Sequence, residues 1–151
     1  MKHIIFLVFL SSVINYGFSQ DYPVSWESNV ERIDTLTYRV KFMAEINEPY
    51  HIYPIKGATT GLGMPTQFLI EENPDVILIG PMEERGVGQQ GNKSLPYYSK
   101  GVTFSQMVKL RTDKETTLTT TIKFMACTKQ MCLLPASKEF EVLLGKNPFK
   151  G

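Results

Sequence analysis

Between Thr117 and Leu144 the chain runs TLTTTIKFMACTKQMCLLPASKEFEVLL, two alternating stretches joined by a short segment that holds both cysteines of the protein. Leu118, Thr120, Ile122, Phe124 and Ala126 share one face, and Thr117, Thr119, Thr121, Lys123, Met125 and Cys127 share the other. Phe140, Val142 and Leu144 give the return stretch an apolar face. Period two on both sides of a turn predicts a β-hairpin. By parity Cys127 is expected on the polar, outward side at the end of its strand. Cys127 and Cys132 are separated by Thr128, Lys129, Gln130 and Met131. That is enough chain to reverse direction and bring two Cα atoms to the roughly 5.5 Å of a disulfide.

Upstream, the same period recurs. Leu36, Tyr38, Val40, Phe42, Ala44 and Ile46 alternate with polar residues and Met43, the clearest strand of the chain. Val24 to Ile33, with Trp26, is a weaker strand candidate. Tyr50 to Tyr53 is extended, and Thr66 to Glu71 and Val76 to Ile79 flank an Asn73-Pro74-Asp75 turn. Val102, Phe104, Val108 and Leu110 mark a further strand. Pro81 to Lys100 shows no period, and it is expected to be a long loop that is either functional or a tolerated insertion. Seven or eight short strands without an amphipathic helix predict an all-β fold, an antiparallel β-sandwich.

The chain opens with Lys2, continues uncharged from Ile4 to Leu10 and reaches Gly17-Phe18-Ser19. This is the pattern of a secretory signal peptide over residues 1–19, too short to span a bilayer. Residues 20–151 are then expected to form one exported, soluble domain in a compartment where disulfides persist. Without Lys2, the 16 basic and 15 acidic residues of the chain become 15 of each. A balanced charge points away from nucleic acid and from anionic membrane surfaces.

The cysteine pair either staples the fold or reacts. Closing a loop of roughly six residues stabilises by only about 2 kcal/mol, against about 4.7 for a loop of roughly 100. Short-range pairs also serve as couples that open and close in thiol–disulfide exchange. Zinc wants four ligands, and the only histidines are His3, in the segment expected to be removed, and His51. Met125 and Met131 would be soft Cu(I) ligands, but such residues more often pack. No cofactor or metal is expected. Lys129 stands where it could favour a thiolate. Cys132 lies past the turn beside Leu133, Leu134 and Pro135, which could dock a partner, and Pro135 restricts Leu134.

The cysteine hairpin with its following Pro135, preceded far upstream by Tyr50-His51-Ile52-Tyr53, resembles the N-terminal domain of the thiol:disulfide interchange protein DsbD, over roughly Leu36 to Leu144. The resemblance implies an immunoglobulin-like domain of the bacterial periplasm, in a system that also serves cytochrome c biogenesis. Such a domain takes reducing equivalents from a membrane-embedded thiol reductant and passes them to periplasmic thioredoxin-like or other thiol proteins. It implies Cys127 and Cys132 as the redox couple, Cys132 as the sulfur that meets the partner, and His51 and Tyr53 as aromatic surroundings. Three features depart from the family pattern. The cysteine spacing is one residue shorter. The stretch matching the family's acidic, aromatic cap reads VGQQG over Val87 to Gly91, leaving Glu83-Glu84 or Tyr97-Tyr98 to stand in. The chain ends at Gly151, so the donor is expected to be a separate protein. The rival expectation is a non-redox, exported β-sandwich that binds a protein or peptide and keeps a structural hairpin disulfide.

Overall fold

A computed structural model describes residues 21–56, 63–90 and 97–145, with 87–90 described by backbone alone. The expected signal peptide lies outside these residues. Seven strands follow one another: β1 (Val24–Arg32), β2 (Thr37–Ile46), β3 (Gln67–Ile70), β4 (Val76–Gln90), β5 (Tyr97–Leu110), β6 (Thr116–Phe124) and β7 (Ala136–Leu144). They form a four-stranded sheet in the order β1-β2-β5-β4 and a three-stranded sheet in the order β3-β6-β7, with every neighbouring pair antiparallel. Lettered A to G in chain order, this is the ABED and CFG arrangement of an immunoglobulin constant-type sandwich. The fold is therefore all-β and immunoglobulin-like.

The alternating faces meet where the sequence puts them. Tyr38, Val40, Phe42, Ala44 and Ile46 of β2, and Val102, Phe104, Val108 and Leu110 of β5, are buried against Leu118, Ile122 and Phe124 of β6 and Val142 and Leu144 of β7. Aromatic pairs join the sheets: Trp26 with Phe124 at 5.2 Å between ring centres, Phe42 with Phe140 at 5.6 Å, and Phe104 with Phe68 at 4.9 Å. Rings at these separations add to the area they bury.

The stretch expected as a loop over Pro81 to Lys100 is instead largely strand. β4 runs on to Gln90, and β5 begins at Tyr97. Residues 91–96 lie outside the described set. The period fails because the β4–β5 register shifts twice, between Ile79 and Glu83 and between Val87 and Gln89. A bulge re-aims every later side chain. At the first shift Gly80 has φ +66°, and the buried Gln106 side chain donates to the carbonyls of Ile79 and Gly80, both at 3.2 Å. No helix among the described residues is long and apolar enough to cross a membrane.

Candidate functional site

In this topology β2, β4 and β6 end, and β5 and β7 begin, at one end of the sandwich, and the cysteines are in the β6–β7 connection. Cys127 and Cys132 are joined by a disulfide of 2.03 Å, with their Cα atoms 3.9 Å apart. Two backbone bonds flank the pair, Leu133 N–H to the Ala126 carbonyl at 2.9 Å and Thr128 N–H to the Met131 carbonyl at 2.7 Å. This is the narrow, non-hydrogen-bonded pair of an antiparallel ladder, where side chains approach most closely. Thr128 also organises the turn itself, since its hydroxyl accepts from Gln130 N–H and Met131 N–H, each at 3.2 Å.

On its other side Cys127 pairs with His51. Their backbones exchange two bonds, His51 N–H to Cys127 carbonyl at 2.9 Å and Cys127 N–H to His51 carbonyl at 3.0 Å. The next residue turns its bonds the opposite way, as strand geometry requires: Ile52 and Tyr98 exchange N–H to carbonyl bonds of 3.0 and 2.9 Å. Residues 51–53 thus form a short central strand that joins the cysteine arm of one sheet to the β5 end of the other. Directly opposed residues share a face, so Cys132, Cys127 and His51 lie on one side of this ladder. Ile52 and Tyr98 lie on the other, in the core.

On the cysteine side, aromatic groups gather round His51. Tyr97 lies over its ring at 4.3 Å, and Tyr53 meets it edge-on at 5.4 Å. His51 Nε2 and the Tyr53 hydroxyl share a hydrogen bond of 3.3 Å whose direction follows the imidazole tautomer. Burial holds the His51 pKa below its usual range, so the ring is neutral at pH 7. Burial, with Tyr97 beside it, raises the Tyr53 phenol. Gly63 lies flat against the Tyr53 ring, where a Cβ would fall 2.0 Å from a ring carbon.

Cys127 lies on the side of the ladder away from Ile52 and Tyr98, as parity gives, but that side is covered here. Cys127 is only 1% exposed. β6 ends at Phe124, and the 51–53 strand lies alongside Cys127 where a free edge would otherwise be. Cys132 is half-buried, while its neighbours Met131 and Leu134 are 53% and 86% exposed. Lys129 is exposed at the turn, and Pro135 is exposed after Leu134. Lys129 and His51 line a common groove, but Pro135 is on the opposite arm of the hairpin.

Sequence reading missed one contributor and named two others only as stand-ins for a cap. Tyr22 clamps the two arms: its hydroxyl accepts from Ala126 N–H at 2.9 Å and donates to the Leu134 carbonyl at 3.1 Å. Nothing in the sequence around Asp21-Tyr22-Pro23 signals this. Tyr97 and Tyr98 were visible only as a pair of rings, and the structure puts one on His51 and the other across from Ile52. Glu84 accepts from Ile55 N–H at 3.0 Å. Burial first, then the charge and hydrogen bond of Glu84, push the Tyr98 phenol up to about 12. Glu84 and Tyr97-Tyr98 do stand beside the cysteine end. Gln89 and Gln90 belong to the β4–β5 ladder, opposite Tyr98 and Tyr97.

Comparison with solved structures finds likenesses at low identity. The chain is similar to a DsbD N-terminal domain. That protein, from Neisseria meningitidis and in its reduced form, is 11% identical with a TM-score of 0.46, over 76% of this chain and 82% of that one. The N-terminal periplasmic domain of ScsB from Proteus mirabilis is 13% identical with a TM-score of 0.49, over 81% of this chain. This chain spans about half of the ScsB chain, 46% of its length. The GAE domain of GGA2p from Saccharomyces cerevisiae is 10% identical with a TM-score of 0.47, over 80% of this chain and 89% of that one. At these identities the likeness carries no chemistry. No family model and no curated protein matches the sequence.

Proposed function

We propose that Cys127 and Cys132 are a working dithiol/disulfide couple in an exported, periplasmic domain. The domain accepts reducing equivalents from a membrane-embedded thiol reductant and passes them to thioredoxin-like or other thiol proteins. In the exchange, a thiolate of the reduced pair attacks a sulfur of the partner's disulfide and expels one partner thiolate. The second cysteine then attacks the mixed disulfide, closes the Cys127–Cys132 bond and releases the other partner thiol. Two electrons pass to the partner, and two protons from the pair end on its thiols.

The observation that carries this reading is where the disulfide sits. The bridge of an antibody domain ties the B strand to the F strand across the sandwich, whereas this one joins two residues that already face each other across a hydrogen-bonded turn. It holds little that the ladder does not hold. The half-buried Cys132, beside exposed Met131 and Leu134, supports it as the sulfur that meets a partner, with buried Cys127 resolving the mixed disulfide. His51, Tyr53, Lys129 and Pro135 are the surroundings of the pair in this reading.

Equilibration with glutathione or dithiothreitol buffers, followed by trapping of free thiols, tests it. The couple is expected well above the roughly −300 mV of structural disulfides. A lower value would turn the assignment to a structural bridge in a binding module. In the same assay Cys127→Ser should accumulate a mixed disulfide through Cys132, and Cys132→Ser far less. The opposite pattern would reverse the roles of the two sulfurs.

A further inference from the structure

A groove of about 200 Å3 opens beside the disulfide, lined by Glu48, Pro49, Tyr50, His51, Tyr97, Ser99, Lys100 and Lys129. Two observations give it a character. Its lining is aromatic where Tyr50 and the close, tilted pair of His51 and Tyr97 form it. Its charged rim carries Lys100 and Lys129 against a single carboxylate, Glu48. The only salt bridges among the described residues are those of Glu31 with Arg39 and Lys41, on β1 and β2. Neither groove lysine is therefore neutralised by an ion pair among the described residues, and His51, held neutral by burial, adds no charge. The nearby acid Glu84 is already engaged by Ile55 and Tyr98.

The groove's position joins it to the chemistry. Lys129 belongs to the turn between the two cysteines, and His51 is the direct ladder partner of Cys127. Any protein whose sulfur reaches the pair brings the residues next to its own cysteine over this rim. Two apolar side chains near the pair, Met131 and Leu134, are exposed.

We infer that this groove receives an acidic segment of the thiol protein with which the pair exchanges, with Lys100 and Lys129 meeting its carboxylates. The inference rests on the redox reading above and adds a partner class to it. Opposite charge at a docking rim acts mainly on the rate of encounter and on the choice of partner.

The test uses two short peptides, each as its symmetric disulfide, with the cysteine followed by two aspartates in one and by two lysines in the other. Reduced protein is mixed with each, and the second-order rate of peptide thiol release is measured. Each turnover oxidises one Cys127/Cys132 dithiol and yields two peptide thiols. The rate ratio, acidic over basic, is divided by the same ratio for the Lys100→Glu/Lys129→Glu variant, which cancels the intrinsic difference in reactivity of the two peptides. That quotient is expected to be on the order of ten or more at low ionic strength, and to collapse toward one in 1 M salt. Lys114→Glu, in the turn between β5 and β6 at the other end of the sandwich, should leave the wild-type ratio unchanged. A quotient of one with both peptides reacting would overturn the inference and leave the redox reading standing. An equal effect from Lys114→Glu would also overturn it, because overall charge and not the groove would be at work. Failure of both peptides to react would remove the redox reading and this inference with it.

Discussion

The middle of the sandwich and its cysteine end are built on different physics. In the middle, large rings fill the gap between the sheets: Trp26, Phe42, Phe68, Phe104, Phe124 and Phe140 touch one another across it. At the cysteine end, four short segments are knitted by backbone bonds, a tyrosine hydroxyl and one disulfide. The first arrangement draws its stability from buried apolar area. The second is held by directional bonds between short segments. A domain that opens and closes a disulfide benefits from that division, because chemistry at the end need not disturb the core.

The core side of the contrast carries the largest expected effect. Phe104 is fully buried between Trp26 and Phe68, so Phe104→Ala should lose about 3–5 kcal/mol in denaturant unfolding. A loss of under about 1 kcal/mol would mean that the rings are not what holds the sheets together.

The double variant Cys127→Ser/Cys132→Ser probes the other side. It should stay cooperatively folded and lose about 2 kcal/mol or less, since Leu133 N–H to Ala126 and Thr128 N–H to Met131 still close the turn. Loss of a cooperative transition would make the bridge a staple after all.

Tyr22→Phe sharpens the comparison further. It leaves the edge-on contact with Phe124 at 5.3 Å and removes only the hydroxyl, which serves Ala126 and Leu134. The expected loss is about 1 kcal/mol, with faster amide exchange at Ala126 and no change in the protection of β2 and β5. Unchanged exchange at Ala126 would show that the clamp is not holding this end.

The smallest effect is a pH dependence from His51, the one histidine among the described residues. Its folded-state pKa lies below the ordinary value of 6.5 because burial disfavours the charged ring. The unfolded chain therefore binds the proton first as the pH falls. The stabilising contribution of His51 is complete above about 6.5 and is lost as the pH drops toward the folded pKa. Stability should decline from pH 7.5 to pH 5.5 in the wild type, and less in His51→Gln. Equal slopes would remove His51 as the cause.

Much of the fold was legible because an antiparallel sandwich writes itself into period two. β2, β5, β6 and β7 carry apolar residues at alternate positions with one face in the core. β4 was not legible past Ile79. It is an edge strand with two register shifts, and Ile77, Leu78 and Ile79 are exposed together, so no alternation survives there. Of the site, the cysteines announced themselves by spacing, and His51 and Tyr53 were noticed without a contact to give them. Parity gave Cys127 its face but not its burial, because what lies beside that face comes from distant parts of the chain.

The local sequence by itself determined the strands, the turn chemistry at Thr128 and a cysteine pair close enough to bond. These depend on neighbours a few positions away, whose geometry is set by backbone sterics and side-chain period. The assembly of the site is another matter. His51 and Cys127 come from two different connections and Tyr97 from the start of β5, and only the ABED and CFG order brings them to one end of the sandwich. The pairing of Cys127 with His51, the reach of Tyr22 to residues 104 and 112 positions away, and the lysine-rimmed groove all follow from that closure. Such contacts are set by which strands pair across the whole chain, so the tertiary structure alone decides them.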